Sequence, residues 1–480
     1  MQRREEPVRR SPPARLRGFP PPRPRRFPSL LAALALAAIL PAHSAPRPPN
    51  QIFVLVDDMG RDWVGAYGAA NATPAFDRLA TDGVRFKVAW ATPLCTTTRV
   101  SMLTGQYPYH NGWTRHYDVP RWGGVGLDPG RFTTLGMFMH RAGYVTAIAG
   151  KWQVNDLRPD PHIMQRHGFD EYDLWPGVES GNPASEKRYW DAYLEHDGRR
   201  RAHTGEFGPD VVQRFVLDFI RRNRDRPFFL YYPMINVHAP NEPTPLNRAH
   251  PPKGEAALYA GMVTYTDRQV AELLRTLDEL GLSDHTIVYL AGDNGSSTGG
   301  TLHGRPMPAA KNRLSDLGVH VPLIVWGPGI VRRGVVSDAL TDFTDLLPTM
   351  VEFAGAHLPA PGTFDGHSLV PELTGRPGNE PPRDWVFTEY GNGRAVRDQR
   401  YIYDNSGKFY DLWTDPLQQH DLSANQTPNL VRERDHLGDV LARRPPDGPV
   451  PFPEFAHAEQ LLRDTMAKAR ARREAAAMPH

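Results

Sequence analysis

The chain of 480 residues holds one cysteine, Cys95. A lone thiol cannot close an internal disulfide, so a disulfide-framed fold is excluded and Cys95 is either a chemical group or a packing residue. Charge of one sign is also lacking. The formal net charge is +2, and much of the positive charge falls in the first 26 residues, so no global field argues for nucleic acid. Long apolar runs are missing too. The run at 30–40 is too short to span a bilayer comfortably, and no other segment reads as transmembrane. No internal repeat is evident.

Proline (48) and glycine (42) are plentiful and fall mostly between apolar runs, a pattern that suits an enzyme with substantial loops. Residues 3–26 are rich in Arg and Pro and cannot build a core. With the apolar run behind them and the small residues at 41–45, they read as a secretory signal with a long basic leader, residues 1–45. Arg25-Arg26-Phe27 resembles a twin-arginine signal. The expectation is an exported, periplasmic or secreted protein; an uncleaved anchor and a misplaced start are the other readings.

From Asn50 onward, β-rich apolar runs alternate with amphipathic helical patterns. Strands are predicted at 51–56, 84–90, 144–148, 227–232, 286–290 and 322–326, and helices at 74–81, 133–141, 210–222, 256–280 and 344–353. Continuously apolar strands fit burial on both faces. The α/β alternation predicts a large, mostly parallel sheet sandwiched by helices, over residues 46–375. A composition break near 371–383 introduces a second unit, 376–480. There, short strands at 385–390, 400–404 and 408–412 suggest a smaller antiparallel sheet, with a charged helix at 455–477 packed on it and fraying into a tail.

Ligands of open parallel sheets bind beyond the carboxyl ends of the strands. The polar residues found there are Asp57-Asp58-Met59-Gly60, Cys95 with Arg99, Gly150-Lys151-Trp152-Gln153, Asn236-Val237-His238, and Gly292-Asp293-Asn294-Gly295. Singly, each has a plain reading as a turn, a solvated charge or a packed side chain. Together, three carboxylates and an amide carbonyl offer hard oxygen ligands for Ca²⁺ or Mg²⁺. Arg99, Lys151, His238 and Lys311 supply positive charge and donors around them. A divalent cation plus a tetrahedral oxyanion satisfies both sets.

In the order and number of these blocks, the chain resembles the sulfatases of the alkaline-phosphatase-like superfamily, from about Gln51 to Leu422. Cys95-x-x-x-Arg99 running on to Leu103-Thr104-Gly105 is one of its strongest blocks, with those at 56–60, 150–152 and 292–295 and His238-x-Pro240. Lys311 with Val321-Pro322, and Tyr410-Asp411-Leu412 with Asp415-Pro416, extend the resemblance. The resemblance implies that a formylglycine-generating enzyme oxidises Cys95 to formylglycine before export. One hydroxyl of its hydrate attacks sulfur, and the other helps eliminate sulfate. It also implies roles by position. Asp57, Asp58, Asp293 and Asn294 would hold Ca²⁺, or Mg²⁺, together with modified Cys95. Arg99 would hold the modified side chain. Lys151, His238 and Lys311 would bind the sulfate oxygens, with His238 or Lys311 helping to protonate the leaving oxygen. The implied partner is a sulfated small molecule or glycan, and not nucleic acid.

Three positions depart from the family pattern. Thr97 stands where Pro or Ala is usual, in the stretch the modifying enzyme reads. Gln153 replaces a His that contacts the formylglycine hydroxyl and is the usual candidate base for elimination; Gln cannot take a proton at neutral pH. His320 replaces a commonly basic residue, and His303 is near enough in sequence to lend an imidazole. A phosphonate or phosphate ester hydrolase and a non-catalytic sulfate-binding relative are the alternative readings. Loops at 113–122, 175–201 and 243–253 would choose the substrate. Within them Arg188, Tyr189 and Trp190 could stack on and clamp a sugar, or merely pack the loop.

Overall fold

A computed structural model describes residues 47–124, 126–358, 362–378 and 382–444, with positions 460, 463, 464 and 467. The leader expected at 1–45 lies outside the described residues, as does most of the helix expected at 455–477. Among the described residues no helix is long and apolar enough to cross a membrane.

The strands are β1 (Asn50–Val56), β2 (Val84–Trp90), β3 (Val145–Lys151), β4 (Glu171–Trp175), β5 (Tyr193–His196), β6 (Arg199–Ala202), β7 (Phe228–Met234) and β8 (Thr286–Gly292). A small ribbon, β9 (Thr301–Leu302) and β10 (Arg305–Pro306), precedes β11 (Leu323–Trp326) and β12 (Val335–Asp342). Apart from the ribbon they form one ten-stranded sheet, ordered β12-β2-β11-β8-β1-β7-β3-β4-β5-β6. β1 is central because every one of its residues is buried. Alternate side chains serve opposite layers: Phe53 and Leu55 enter one apolar core, and Ile52, Val54 and Val56 the other.

The large, mostly parallel sheet expected from the sequence is therefore present. β1 is parallel to β7 and β8, and β3 to β4 and β7. β11 lies between β2 and β8 and is antiparallel to both. Two reversals restore the direction, so β2 delivers Cys95 to the same rim as β1, β3, β7 and β8. The sheet also has strands that the apolar pattern did not suggest: β4, the charged hairpin β5–β6, and β12, which carries a register shift.

Helices cover both faces. The Gly208–Arg222 helix shows why: Val211, Val212, Phe215, Val216, Phe219 and Ile220 recur on one buried face, Asp210 lies in its first turn, and Arg221 and Arg222 in its last.

β13 (Val386–Tyr390), β14 (Gly393–Arg397), β15 (Tyr401–Asp404) and β16 (Phe409–Asp411) form an antiparallel meander. β14 was not expected. The helix that covers this sheet is Pro428–Ala442, upstream of the expected 455–477. Its Leu437, Val440 and Leu441 pack on Phe387, Val396 and Phe409. The meander is tied to the main sheet through Asp316, which accepts from Arg61, Arg397 and Trp90 and faces His320 Nδ1 at 3.1 Å.

Candidate active site

Five strand ends build one buried cluster. Gly292 and Gly150 permit the close approach: a Cβ on Gly292 would collide with the Met59 carbonyl, and one on Gly150 with that of Pro233. Gly150 also has φ +117°, which side chains disfavour. β1 ends on Asp57 and Asp58, both fully buried. Asp58 adopts the left-handed conformation with φ 63°, and its carbonyl accepts from Tyr259 Oη at 2.5 Å.

The cations and anions interlock. Arg99 donates to Asp293 Oδ2 through Nη2 at 2.9 Å and Nε at 3.2 Å, and through Nη1 to the Lys151 carbonyl at 2.7 Å. Lys151 Nζ donates to Asp57 Oδ2 at 2.5 Å, and Lys311 Nζ to Asp58 Oδ2 at 2.7 Å. Asn294 Nδ2 donates to Asp58 Oδ1 at 2.9 Å. His238 Nε2 is 3.9 Å from Asp58 Oδ2. Its Nδ1 faces the Ala239 carbonyl at 2.7 Å and Arg188 Nη1 at 3.2 Å. A carbonyl only accepts and a guanidinium only donates, so Nδ1 serves one of them at a time.

Burial raises the Asp57 and Asp58 carboxyls, but the charge of Lys151 on Asp57, and of Lys311 on Asp58, holds both below the ordinary range. Burial and then the charge of Asp57 push Asp293 well above it, despite Arg99. Burial would lower Lys311, yet Asp58 keeps it raised and cationic. Burial, then Lys311, lowers His238 to about 3, so its imidazole is neutral.

Crowded carboxylates with one lifted are what a divalent cation relieves. Asp57 Oδ1 and Asn294 Oδ1 are buried without a hydrogen-bond partner. Donor atoms of Asp57, Cys95 and Asp293 lie within 4.8 Å of one another, as do those of Asp57, Asp58 and His238. Asp57, Asp58, Asp293 and Asn294 thus offer the hard oxygens that Ca²⁺ or Mg²⁺ takes. A soft thiolate is the misfit in that set; an oxygen at position 95 would complete it.

Cys95 is itself the first residue of the Cys95–Thr104 helix. It is 1% exposed and sits at the positive end of the helix dipole. Its Sγ donates to Gln153 Oε1 at 3.4 Å. Gln153 reaches it from a left-handed backbone, φ 68°. Thr97 is fully buried, and its hydroxyl donates to the Leu94 carbonyl at 2.8 Å.

Asp57, Asp58, Cys95, Arg99, Lys151, His238, Asp293, Asn294 and Lys311 all lie in this cluster or touch it. The other two histidines do not. His303 packs on Gly68, and His320 is clamped between Asp316 and the Lys87 carbonyl. Sequence reasoning missed His116. Its Nδ1 lies 3.0 Å from Thr96 Oγ1 and 4.0 Å from Cys95 Sγ. Its ring meets Trp122 edge to face. Burial above all lowers it to about 4, leaving it neutral. It lies in a loop with no motif around it; only its neighbourhood to two tryptophans, in a segment already suspected of meeting substrate, marked the place.

Comparison with known proteins finds the Sulfatase family model matching residues 49–356. N-acetylgalactosamine-6-sulfatase of Canis lupus familiaris is 33% identical over 366 residues, which cover 71% of this chain and 68% of that one. Arylsulfatase A of Bos taurus is 29% identical, covering 83% of each chain. Among solved structures, Ps i-CgsB superposes with a TM-score of 0.70 at 24% identity, covering 82% of this chain and 93% of its own.

Proposed function

The chain belongs to the sulfatase family and is a sulfuric ester hydrolase, and on that premise we propose that it works through an oxygen nucleophile made from Cys95 beside a bound divalent cation. The carrying observation is the meeting of Asp57, Cys95 and Asp293 donor atoms within 4.8 Å, next to two buried oxygens without partners.

Formylglycine at position 95 would supply the nucleophile, and Ca²⁺, or Mg²⁺, would lower its proton affinity. Asp57, Asp58, Asp293 and Asn294 would hold the cation. Arg99, fixed by Asp293 and the Lys151 carbonyl, would orient the modified side chain. Lys151, Lys311 and His238 line the space where the sulfate oxygens would lie. Lys311 retains its proton and is the better-charged donor to a leaving oxygen; neutral His238 would orient the ester. Gln153 would hold the residue at 95 by hydrogen bonding alone, and His116 supplies the only imidazole within 4.0 Å of Cys95 Sγ among the described residues. The substrates would be sulfated sugars or aryl sulfates, the modifying partner a formylglycine-generating enzyme, and the site of action outside the cytoplasm, reached through the leader at 1–45. Residues 46–375 would carry the chemistry and 376–480 would brace it.

The test is release of inorganic sulfate from aryl and sugar sulfates by protein from a host that converts Cys95, with phosphate and phosphonate esters alongside. Sulfate release that Cys95→Ala abolishes supports the reading. Hydrolysis surviving in Cys95→Ala, or confined to phosphorus esters, overturns it.

A further inference from the structure

Arg188 is a buried cation at this site with no anion of its own. It is 9% exposed. Its guanidinium lies on the face of Trp175, 4.4 Å from the ring centroid. One of its five N–H groups reaches His238 Nδ1 at 3.2 Å, and its Nε is buried without an acceptor. Among the described residues it forms no ion pair. Glu242, whose carboxyl feels its charge, makes no ion pair with it. The other cations of the site are all matched: Arg99 with Asp293, Lys151 with Asp57 and Lys311 with Asp58. Leaving a buried guanidinium unmatched is costly unless an anion arrives from outside.

On the proposed reading the ester sulfate would already have Lys151, Lys311 and His238. Arg188 lies beside His238, 3.2 Å from its Nδ1, on the loop that also carries Trp190, whose ring is covered by Arg248 at 3.6 Å. We propose that Arg188 receives a second anionic group of the same substrate, a further sulfate or a carboxylate on the sugar that bears the scissile ester. The planar fork, held flat by Trp175, presents its free N–H groups to both oxygens of such an anion. This rests on the sulfatase reading and narrows its substrates to sugars with at least two negative charges.

Binding is measured by calorimetry with Cys95→Ala protein, so that turnover does not intervene. The probes are N-acetylglucosamine bearing an O-sulfate alone, glucosamine bearing N- and O-sulfates, and an O-sulfated hexosamine joined to a uronic acid. One or both doubly charged probes should bind about 10- to 100-fold more tightly than the singly charged one, the worth of a hydrogen bond to a charged group. Which of the two does so identifies the second anion as sulfate or carboxylate. Arg188→Gln should erase that ratio and Arg188→Lys should keep part of it, with kcat/KM ratios of the converted enzyme following. A ratio near one in the parent, or equal losses on all probes in Arg188→Gln, overturns the proposal. Failure to hydrolyse any sulfate ester overturns instead the reading beneath it.

Discussion

Gln153 Oε1 accepts from the Cys95 thiol at 3.4 Å, so the position beside the proposed nucleophile's precursor holds a group that cannot take up a proton. An imidazole 4.0 Å from that sulfur, that of His116, comes from a different loop and is neutral. If His116 does the work that residue 153 cannot, His116→Ala should slow sulfate release more than alcohol release. The measure is the ratio of alcohol to sulfate in the first turnover, which should rise by about 10- to 100-fold, the usual worth of a general base. Gln153→His should bring it back toward one. An unchanged ratio in both variants would sink the assignment.

The state of Cys95 is directly readable. The tryptic peptide spanning 88–99, from a host with the modifying enzyme, should carry an aldehyde, seen by its mass and by hydrazide capture. A wholly unmodified thiol from the native host would remove the nucleophile from the mechanism.

Calcium should raise the unfolding temperature of converted protein, and chelation should reverse it. Stabilisation by a ligand at a hundredfold excess over Kd is about 2.7 kcal/mol. Asp57→Ala and Asn294→Ala remove ligands whose Oδ1 atoms have no hydrogen-bond partner, so both should flatten the calcium response measured by calorimetry. A response undiminished in either variant would move the cation elsewhere.

His320 predicts a loss of stability in mild acid. Burial, then Arg61, lowers its pKa from 6.5 to about 4. Between these values the unfolded chain binds the extra proton, so the contribution is complete above 6.5 and disappears as pH falls toward 4. The size is of order 3 kcal/mol. His320→Gln should shrink the difference between urea unfolding free energies near pH 7.5 and near pH 4.5. An unaltered difference would assign the acid sensitivity to other groups, such as His167, which is lowered to about 3.

What was legible in the sequence was what physics writes locally. The runs of β1, β7 and β8 are apolar because both of their faces are buried, and their ends carry acids and amides that a buried rim tolerates only with ligands. The hairpin β5–β6 was illegible because it lies at the sheet edge, where Arg199–Ala202 is largely exposed and has no apolar period to show. β14 was hidden by Arg394 and Arg397. His116 and the isolation of Arg188 depend on where loops fold back, and no local spacing encodes that. His320 looked like a replaced active-site cation; its use is to hold Asp316 where two sheets meet.

The depth of Cys95 has a consequence in time. Arg99, one turn along its helix, pairs with Asp293, 194 residues later in the chain, and synthesis proceeds from the amino terminus. The segment around Cys95 is therefore made long before the strand that seals it. An enzyme that oxidises this thiol must act in that interval, because afterwards only 1% of the residue is exposed. A completed, folded chain that still carries the thiol should resist the same modifying enzyme that converts a free peptide of this sequence, so if residue 95 supplies the nucleophile as proposed, the order of synthesis and folding decides whether a molecule ever becomes active.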